Sequence, residues 1–197
     1  MRLHSHWDAH PWAPDETRLH WYLLPDRTAA EPARRLQTRL RRPGLDPVPE
    51  PWLHATVLSL LPVPPGELDD LVEAVRAAVA GLTAPVGEGR AVVVPEAVLW
   101  ALEPEAPFAA VFAAVAAAVG PWRRTRTDKP FRPHVTVAYA GAEFDGAELE
   151  AQLDDARRDG ADRLPPTRFD ALHLLEVRRQ DRTYRWTPVA QIALEGP

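Results

Sequence analysis

The sequence predicts an α+β fold in which a strand–helix pattern runs twice. Apolar, β-branched runs that suit strands alternate along the chain with segments whose apolar residues recur at helical spacing. The short pattern His-x-Thr-Val occurs at His54 and again at His134, each time inside a strand-like run. The 197 residues, 46% of them hydrophobic, suffice for one domain or for two small lobes that share a core.

The first half of the chain predicts two strands and two helices, most of them bounded by Pro or Gly. In order, these are a strand at 19–24, a helix from about 31 to 40, the first motif strand at 52–61 and an amphipathic helix at 65–81. Alternation along the first strand places His20 and Tyr22 on one face. His20 then either lines a cleft or has a structural role.

The second half repeats the alternation. Its predicted elements are strands at 91–94 and 97–102, a helix from 108 to 119, the second motif strand at 134–140, a helix from 145 to 160, and a closing hairpin of 169–177 with 183–194. The carboxylate of Asp145 can cap the last helix. Two copies of an α+β unit would bring the motif strands side by side, or face to face across a cleft.

Residues 1–17 lack clear periodicity and are interpreted as an N-terminal tail or a strap over the surface of a single domain at 18–195. This segment contains His4, His6 and His10. These three imidazoles could ligate a metal, but the sequence offers no evident fourth ligand, so we expect no metal site.

The composition excludes several classes of protein. The chain has no cysteine, which rules out disulfides, thiolate metal sites and a cysteine nucleophile. Neither a signal peptide nor a membrane-spanning run is evident, so we expect a cytoplasmic enzyme. We also expect a monomer. The net charge of -5 argues against nonspecific binding of duplex DNA, but it leaves a small nucleotide or an RNA end possible.

The repeated motif predicts acid–base chemistry. Side chains two positions apart on a strand share a face, so His54 lies beside Thr56 and His134 beside Thr136. One neutral imidazole can remove a proton from a nucleophile while a protonated imidazole gives one to the leaving oxygen. The two hydroxyls can hold non-bridging phosphate oxygens, so cleavage of a phosphodiester needs no metal or cofactor. The alternative is that these are structural strand residues.

A basic segment leads into the second motif. It contains Arg123, Arg124, Arg126, Lys129 and Arg132. These side chains either form a solvated loop or guide a phosphate or RNA toward His134.

The motif pair and its order resemble the two-histidine (2H) phosphoesterases, in particular the branch called 2′-5′ RNA ligase or RNA 2′,3′-cyclic phosphodiesterase. The lead-in KPFRPH at 129–134, the stretch AVLWALEP at 97–104 and the closing hairpin with Tyr184 are also similar to the family pattern. The resemblance covers about residues 18–195. It implies a bilobal fold whose antiparallel sheets flank a central cleft, with one motif histidine as base and the other as acid.

The resemblance further implies metal-independent opening of 2′,3′-cyclic phosphates, with in-vitro 2′-5′ ligation in some members. One position departs from the pattern: many members carry a basic residue five places after the second motif histidine, where this chain has Tyr139. Tyr139 can stack on a base or bond a phosphate oxygen. Trp52 and Phe131 are candidate stacking platforms for a base, or else aromatic core residues.

Three rival functions remain open. The first is a 2H phosphodiesterase of a small cyclic or 2′-5′-linked nucleotide rather than an RNA end. The second is a non-catalytic module that binds RNA or a nucleotide. The third, a metal-dependent phosphodiesterase, would need Asp and His ligands clustered near the motifs, and the sequence shows no such cluster.

Overall fold

The computed structural model describes residues 1–120 and 130–196. These residues form five α-helices and eleven strands. The helices are α1 (His6–Ala9), α2 (Ala30–Arg39), α3 (Leu68–Val79), α4 (Glu105–Val119) and α5 (Ala147–Arg158). The strands are β1 (Arg2–Leu3), β2 (Thr17–Leu23), β3 (Leu45–Pro47), β4 (Ala55–Ser59), β5 (Val86–Val94), β6 (Ala97–Glu103), β7 (His134–Ala140), β8 (Phe144–Asp145), β9 (Arg163–Arg168), β10 (Ala171–Gln180) and β11 (Thr183–Ala193).

Within the described residues, two larger antiparallel sheets carry one motif strand each. The four-stranded sheet has the order β11-β10-β2-β4, so the first motif strand lies at its edge. The five-stranded sheet has the order β3-β7-β6-β5-β9 and contains the second motif strand next to its edge. Strands β4 and β7 contact each other where the two sheets meet. A small ribbon pairs β1 with β8.

The sheets exchange strands between the two halves of the sequence. The four-stranded sheet combines β2 and β4 with the C-terminal hairpin of β10 and β11, while β3 from the first half joins the five-stranded sheet. The hairpin closes through Asp181 and Arg182, whose φ angles of 51° and 55° are left-handed. Two consecutive left-handed residues give the tight turn whose twist matches an antiparallel ribbon.

The main core lies on one face of each sheet and receives the apolar sides of α2, α3, α4 and α5. Its largest fully buried side chains include Trp21 of β2, Trp100 of β6 and Phe108 of α4. The apolar motif residues Val57 and Val137 belong to the same core, as strand alternation predicts. The opposite face of the four-stranded sheet carries a second, smaller cluster of buried residues, Tyr22, Leu175 and Val177.

The predicted α+β class is confirmed, and the predicted elements are present with shifted ends. The first motif strand is shorter than predicted, because residues 50–52 form a 3-10 turn before it. Strand β5 begins at Val86, earlier than the predicted residue 91, and includes Gly87 and Gly89. A Cβ at Gly89 would lie 2.5 Å from the carbonyl oxygen of Ala101, so the close approach of β6 requires glycine there.

Residues 1–17 contain a strand and a helix that the sequence did not predict. Strand β1 buries Leu3 completely, and the backbone N–H of His4 donates to the carbonyl oxygen of Pro95 at 2.8 Å. Asp145 accepts a hydrogen bond from the N–H of Ala147 at 3.0 Å, at the start of α5. Across the described ranges, no helix combines the length and apolar composition that crossing a membrane requires.

Candidate active site

Each motif strand carries a β-bulge at the same position of its motif. In the pairing of β4 with β2 the extra residue is Val57, and in the pairing of β7 with β6 it is Val137. A bulge shifts the alternation of side chains by one position. The residues five places after the motif histidines, Ser59 and Tyr139, are therefore turned to the same face as the motif threonines.

Both motif histidines are held by the same backbone contact. Nδ1 of His54 lies 2.8 Å from the carbonyl oxygen of Trp52, and Nδ1 of His134 lies 2.7 Å from that of Arg132. A carbonyl oxygen only accepts hydrogen bonds, so Nδ1 donates in both rings and carries a proton. Nε2 is then the nitrogen left for chemistry. It offers a lone pair in the neutral ring and a proton in the charged one.

His54 is enclosed by aromatic rings. Tyr22 stacks on its imidazole with ring centroids 4.1 Å apart and planes at 14°, and Trp186 meets the same imidazole edge-on at 5.3 Å. His54 is 7% exposed. This burial lowers the pKa of His54 to about 4; its hydrogen bond to Trp52 opposes the shift, and the charge of His134 adds to it. His54 is therefore neutral near pH 7, the state that a general base needs.

The burial of His54 predicts a loss of stability in acid. An unfolded histidine takes up its proton near pH 6.5, whereas folded His54 does so near about 4. The stabilising effect of neutral His54 is complete above pH 6.5 and is lost as the pH falls through that window, by about 1.4 kcal/mol per pH unit. In His54→Asn we expect the free energy of unfolding to fall less steeply between pH 6.5 and 5. Urea unfolding of both proteins measures this, and equal slopes would contradict it.

The motif threonines are each hydrogen-bonded to a tyrosine. The side chain of Thr56 bonds Tyr22, and that of Thr136 bonds Tyr139. Burial raises the pKa of both phenols, so both keep their protons at neutral pH. In each pair the threonine hydroxyl opposes this shift and lowers the pKa of the phenol, which is the effect of a hydroxyl that donates to the phenol oxygen.

A family model described as the 2'-5' RNA ligase superfamily matches residues 24–182. The chain belongs to this superfamily. The resemblance read from the sequence is thus confirmed, and membership in this 2H phosphoesterase superfamily supports a phosphoesterase activity. No curated protein matched the chain in the comparison of whole sequences.

Solved structures share the fold of this superfamily member. TT0787 of Thermus thermophilus aligns with a TM-score of 0.69 at 22% identity, over 91% of this chain and 98% of that one. E. coli LigT complexed with 3'-AMP aligns with a TM-score of 0.67 at 17% identity, over 91% and 99%. E. coli LigT complexed with NADP+ gives 0.64 at 17%, over 91% and 99%. At these identities the likeness shows the fold.

In this 2′-5′ RNA ligase superfamily member, the predicted binding residues lie in different places. Trp52 and Tyr139 line a small cavity together with His54. Phe131 stacks on Phe112 of α4 at 4.5 Å and packs against the main core. The exposed guanidinium of Arg132 pairs with a glutamate on α4, Glu105, at 3.3 Å. Arg126 and Lys129, with the rest of the basic segment at 121–129, lie outside the described residues.

Several residues around the cleft were not predicted as site residues. The C-terminal hairpin contributes Arg182 and Tyr184 to the cavity that contains His54, and Trp186 to the enclosure of His54. Alternation placed Tyr22 on the correct face. Its contact with His54 joins two neighbouring strands, β2 and β4, so no local sequence pattern indicates it. His20 shares that face, and its Nδ1 lies 3.0 Å from the hydroxyl of Ser59.

Helix α1 rests against the same cavity walls. His6 stacks on Tyr139 with ring centroids 4.3 Å apart, and its Nε2 lies 2.8 Å from the hydroxyl of Tyr184. The three histidines considered from the sequence, His4, His6 and His10, do not converge on one point. The group whose ligand atoms lie within 4.8 Å of one another consists of His6, His10 and Glu96, whereas His4 faces Glu143 at 4.0 Å.

Proposed function

We propose that this protein is a metal-independent phosphodiesterase that opens 2′,3′-cyclic phosphates by two-histidine acid–base catalysis. The observation that carries the proposal is the matched pair of backbone contacts, which direct Nε2 of His54 and Nε2 of His134 away from the carbonyl oxygens. The charge of His134 reaches His54, so the two rings share one electrostatic environment. Family membership supports the same chemistry at the coarser level of a phosphoesterase.

The two histidines divide the proton transfers. His54 is neutral at pH 7 because it is buried, so we assign it the role of general base, which takes a proton from the attacking water. The new P–O bond forms as the bond between phosphorus and O3′ breaks. His134 is partly exposed and is assigned the role of acid, giving the proton of its Nε2 to O3′. The products are a 2′-phosphate and a free 3′-hydroxyl.

The remaining cleft residues suit an anionic, planar substrate. The motif hydroxyls of Thr56 and Thr136 can donate to the non-bridging oxygens as charge builds on them. Arg182 lines the cavity beside His54 and brings a guanidinium that can pair with phosphate. Trp52 and Trp186 offer aromatic surface next to His54, where a base can stack.

A small nucleotide is the second candidate substrate, in place of an RNA end. The complexes of E. coli LigT with 3'-AMP and NADP+ support nucleotides as the ligand class. A monomer in the cytoplasm stays our prediction.

The first test is a metal-free assay of the wild-type protein. In EDTA we expect undiminished turnover of a 2′,3′-cyclic mononucleotide to the 2′-phosphate, identified by phosphorus NMR or mass spectrometry. Parallel reactions with a cyclic-phosphate-ended RNA and a 2′-5′-linked dinucleotide rank the substrate classes. A loss in EDTA that a divalent cation restores in the wild type and equally in Glu96→Gln would assign a metal mechanism. Binding without turnover of any substrate would leave a non-catalytic module.

A further inference from the structure

His6, His10 and Glu96 converge outside the two-histidine pair. His6 and His10 are four residues apart on α1 and its C-terminal cap, a spacing that puts both imidazoles on one side of a helical turn. Glu96 lies in the turn between β5 and β6. Its Oε2 is 3.3 Å from Nδ1 of His6 and 2.8 Å from Nε2 of His10.

The first of these distances suits ligands that share one cation, and the second, 2.8 Å, would lengthen by about 0.5 Å when a cation replaces the hydrogen bond. With Zn–N and Zn–O bonds of about 2.0–2.1 Å, two ligand atoms of a tetrahedral site lie roughly 3.3 Å apart. The separation of His6 Nδ1 and Glu96 Oε2 already has this value, and all three ligand atoms fall within 4.8 Å. The side chain of His10 is 54% exposed, so a water molecule can complete the coordination.

The second ring nitrogen of His6, Nε2, also has a hydrogen-bonding partner. A histidine that binds a metal through Nδ1 carries its proton on Nε2, and metal sites commonly supply an acceptor for that proton. Here Nε2 of His6 lies 2.8 Å from the hydroxyl of Tyr184, whose oxygen also accepts from Arg179 at 2.8 Å. Tyr184 is thereby fixed in place. This arrangement orients His6 with Nδ1 toward Glu96.

We propose that His6, His10 and Glu96 bind a divalent transition-metal cation of the Zn²⁺ type, which fastens α1 against Tyr139 and Tyr184 in the wall of the cavity that contains His54. Two imidazole nitrogens and one carboxylate oxygen form a ligand set that favours Zn²⁺ over Mg²⁺ or Ca²⁺, which prefer oxygen. The cation binds to the N-terminal segment and takes no part in the proton transfers assigned to His54 and His134.

Helix α1 packs against residues that line the cavity containing His54, so a metal bound to α1 would act on that cavity. His6 and Trp7 both pack on Tyr139 and Tyr184, which line the cavity together with His54. Nε1 of Trp7, also on α1, donates a hydrogen bond to Asp46 at 2.8 Å. A cation that joins α1 to the β5–β6 turn adds a strong cross-link between this segment and the five-stranded sheet.

The test measures metal binding directly on the full chain, so its outcome does not depend on catalytic activity. Titration calorimetry with ZnCl₂ is expected to give one Zn²⁺ per chain. Glu96→Gln and His10→Gln should each weaken binding at least about tenfold, because each removes one ligand while keeping a side chain of similar size. The matched control is His4→Gln, which changes a histidine of the same segment outside the cluster and should bind like the wild type.

Hydrogen exchange tests whether bound Zn²⁺ stabilises the N-terminal segment or binds without affecting it. Saturating Zn²⁺ should slow amide exchange in peptides covering residues 1–16 of the wild-type protein and of His4→Gln, with no such effect in Glu96→Gln. Absence of stoichiometric binding would overturn the proposal. So would equal affinity in the ligand variants, which would place the metal elsewhere, or binding that leaves exchange in residues 1–16 unchanged.

Discussion

Replacing His54 or His134 by alanine is expected to lower kcat/KM on a 2′,3′-cyclic nucleotide by about 10³-fold, since each imidazole carries one of the two proton transfers. The double variant should lose little more than either single one, because the two groups act in one concerted event. Steady-state kinetics in EDTA measure all three. The matched control, His4→Ala, removes an exposed N-terminal imidazole and should keep wild-type rates.

Binding experiments decide how the activity is lost. Both variants should still bind a 2′-phosphate product analogue, because the hydroxyls of Thr56 and Thr136 and the guanidinium of Arg182 remain. Circular dichroism checks that each variant is folded. Unchanged turnover in either folded histidine variant would remove that residue from the acid–base pair and with it the proposed mechanism.

The second large effect is on stability. Tyr22→Ala is expected to lower the free energy of unfolding by about 3–5 kcal/mol, the usual cost of removing a buried aromatic ring. Tyr22 is 2% exposed, stacks on His54 and meets Trp186 edge-on at 5.5 Å. The cavity left behind would also let water reach His54, and hydration moves the pKa of that histidine back toward 6.5.

Tyr22→Phe is the matched control, because it keeps the ring and removes only the hydroxyl that bonds Thr56. Its expected cost is about 1 kcal/mol, the net value of a typical hydrogen bond. Urea unfolding at pH 7 gives both free energies. Equal losses in the two variants would mean that the hydroxyl, not the stacked ring, stabilises the fold around His54.

The main elements of the fold could be predicted because their signals are local. Apolar spacing marks α3 and α4, and β-branched runs mark the motif strands. The strands that were missed are short or contain proline. Strand β9 includes Pro165 and Pro166. The sheet tolerates these prolines because β9 lies at an edge of the five-stranded sheet. Its pairing with β5 is a long-range property that no local pattern indicates.

The site was predictable in part for the same reason. Strand alternation placed His54 beside Thr56, because both lie on one short segment. The bulges at Val57 and Val137 could not be read from the sequence, since a bulge exists only relative to a partner strand. Tyr184 and Trp186 reach the cleft from the far end of the chain, and α1 arrives from its start. These contacts depend on tertiary packing.

The exchange of strands between the two sheets limits how the protein can be divided. Because β10 and β11 complete the sheet that β2 and β4 begin, a fragment ending after the first motif would lack half of that sheet. A fragment that starts after β4 would lack β3, which is an edge strand of the five-stranded sheet. Split expression of the two motif halves should therefore yield insoluble pieces. Both halves of the sequence therefore contribute to the sheet beneath each motif histidine, and the motif strands β4 and β7 contact each other.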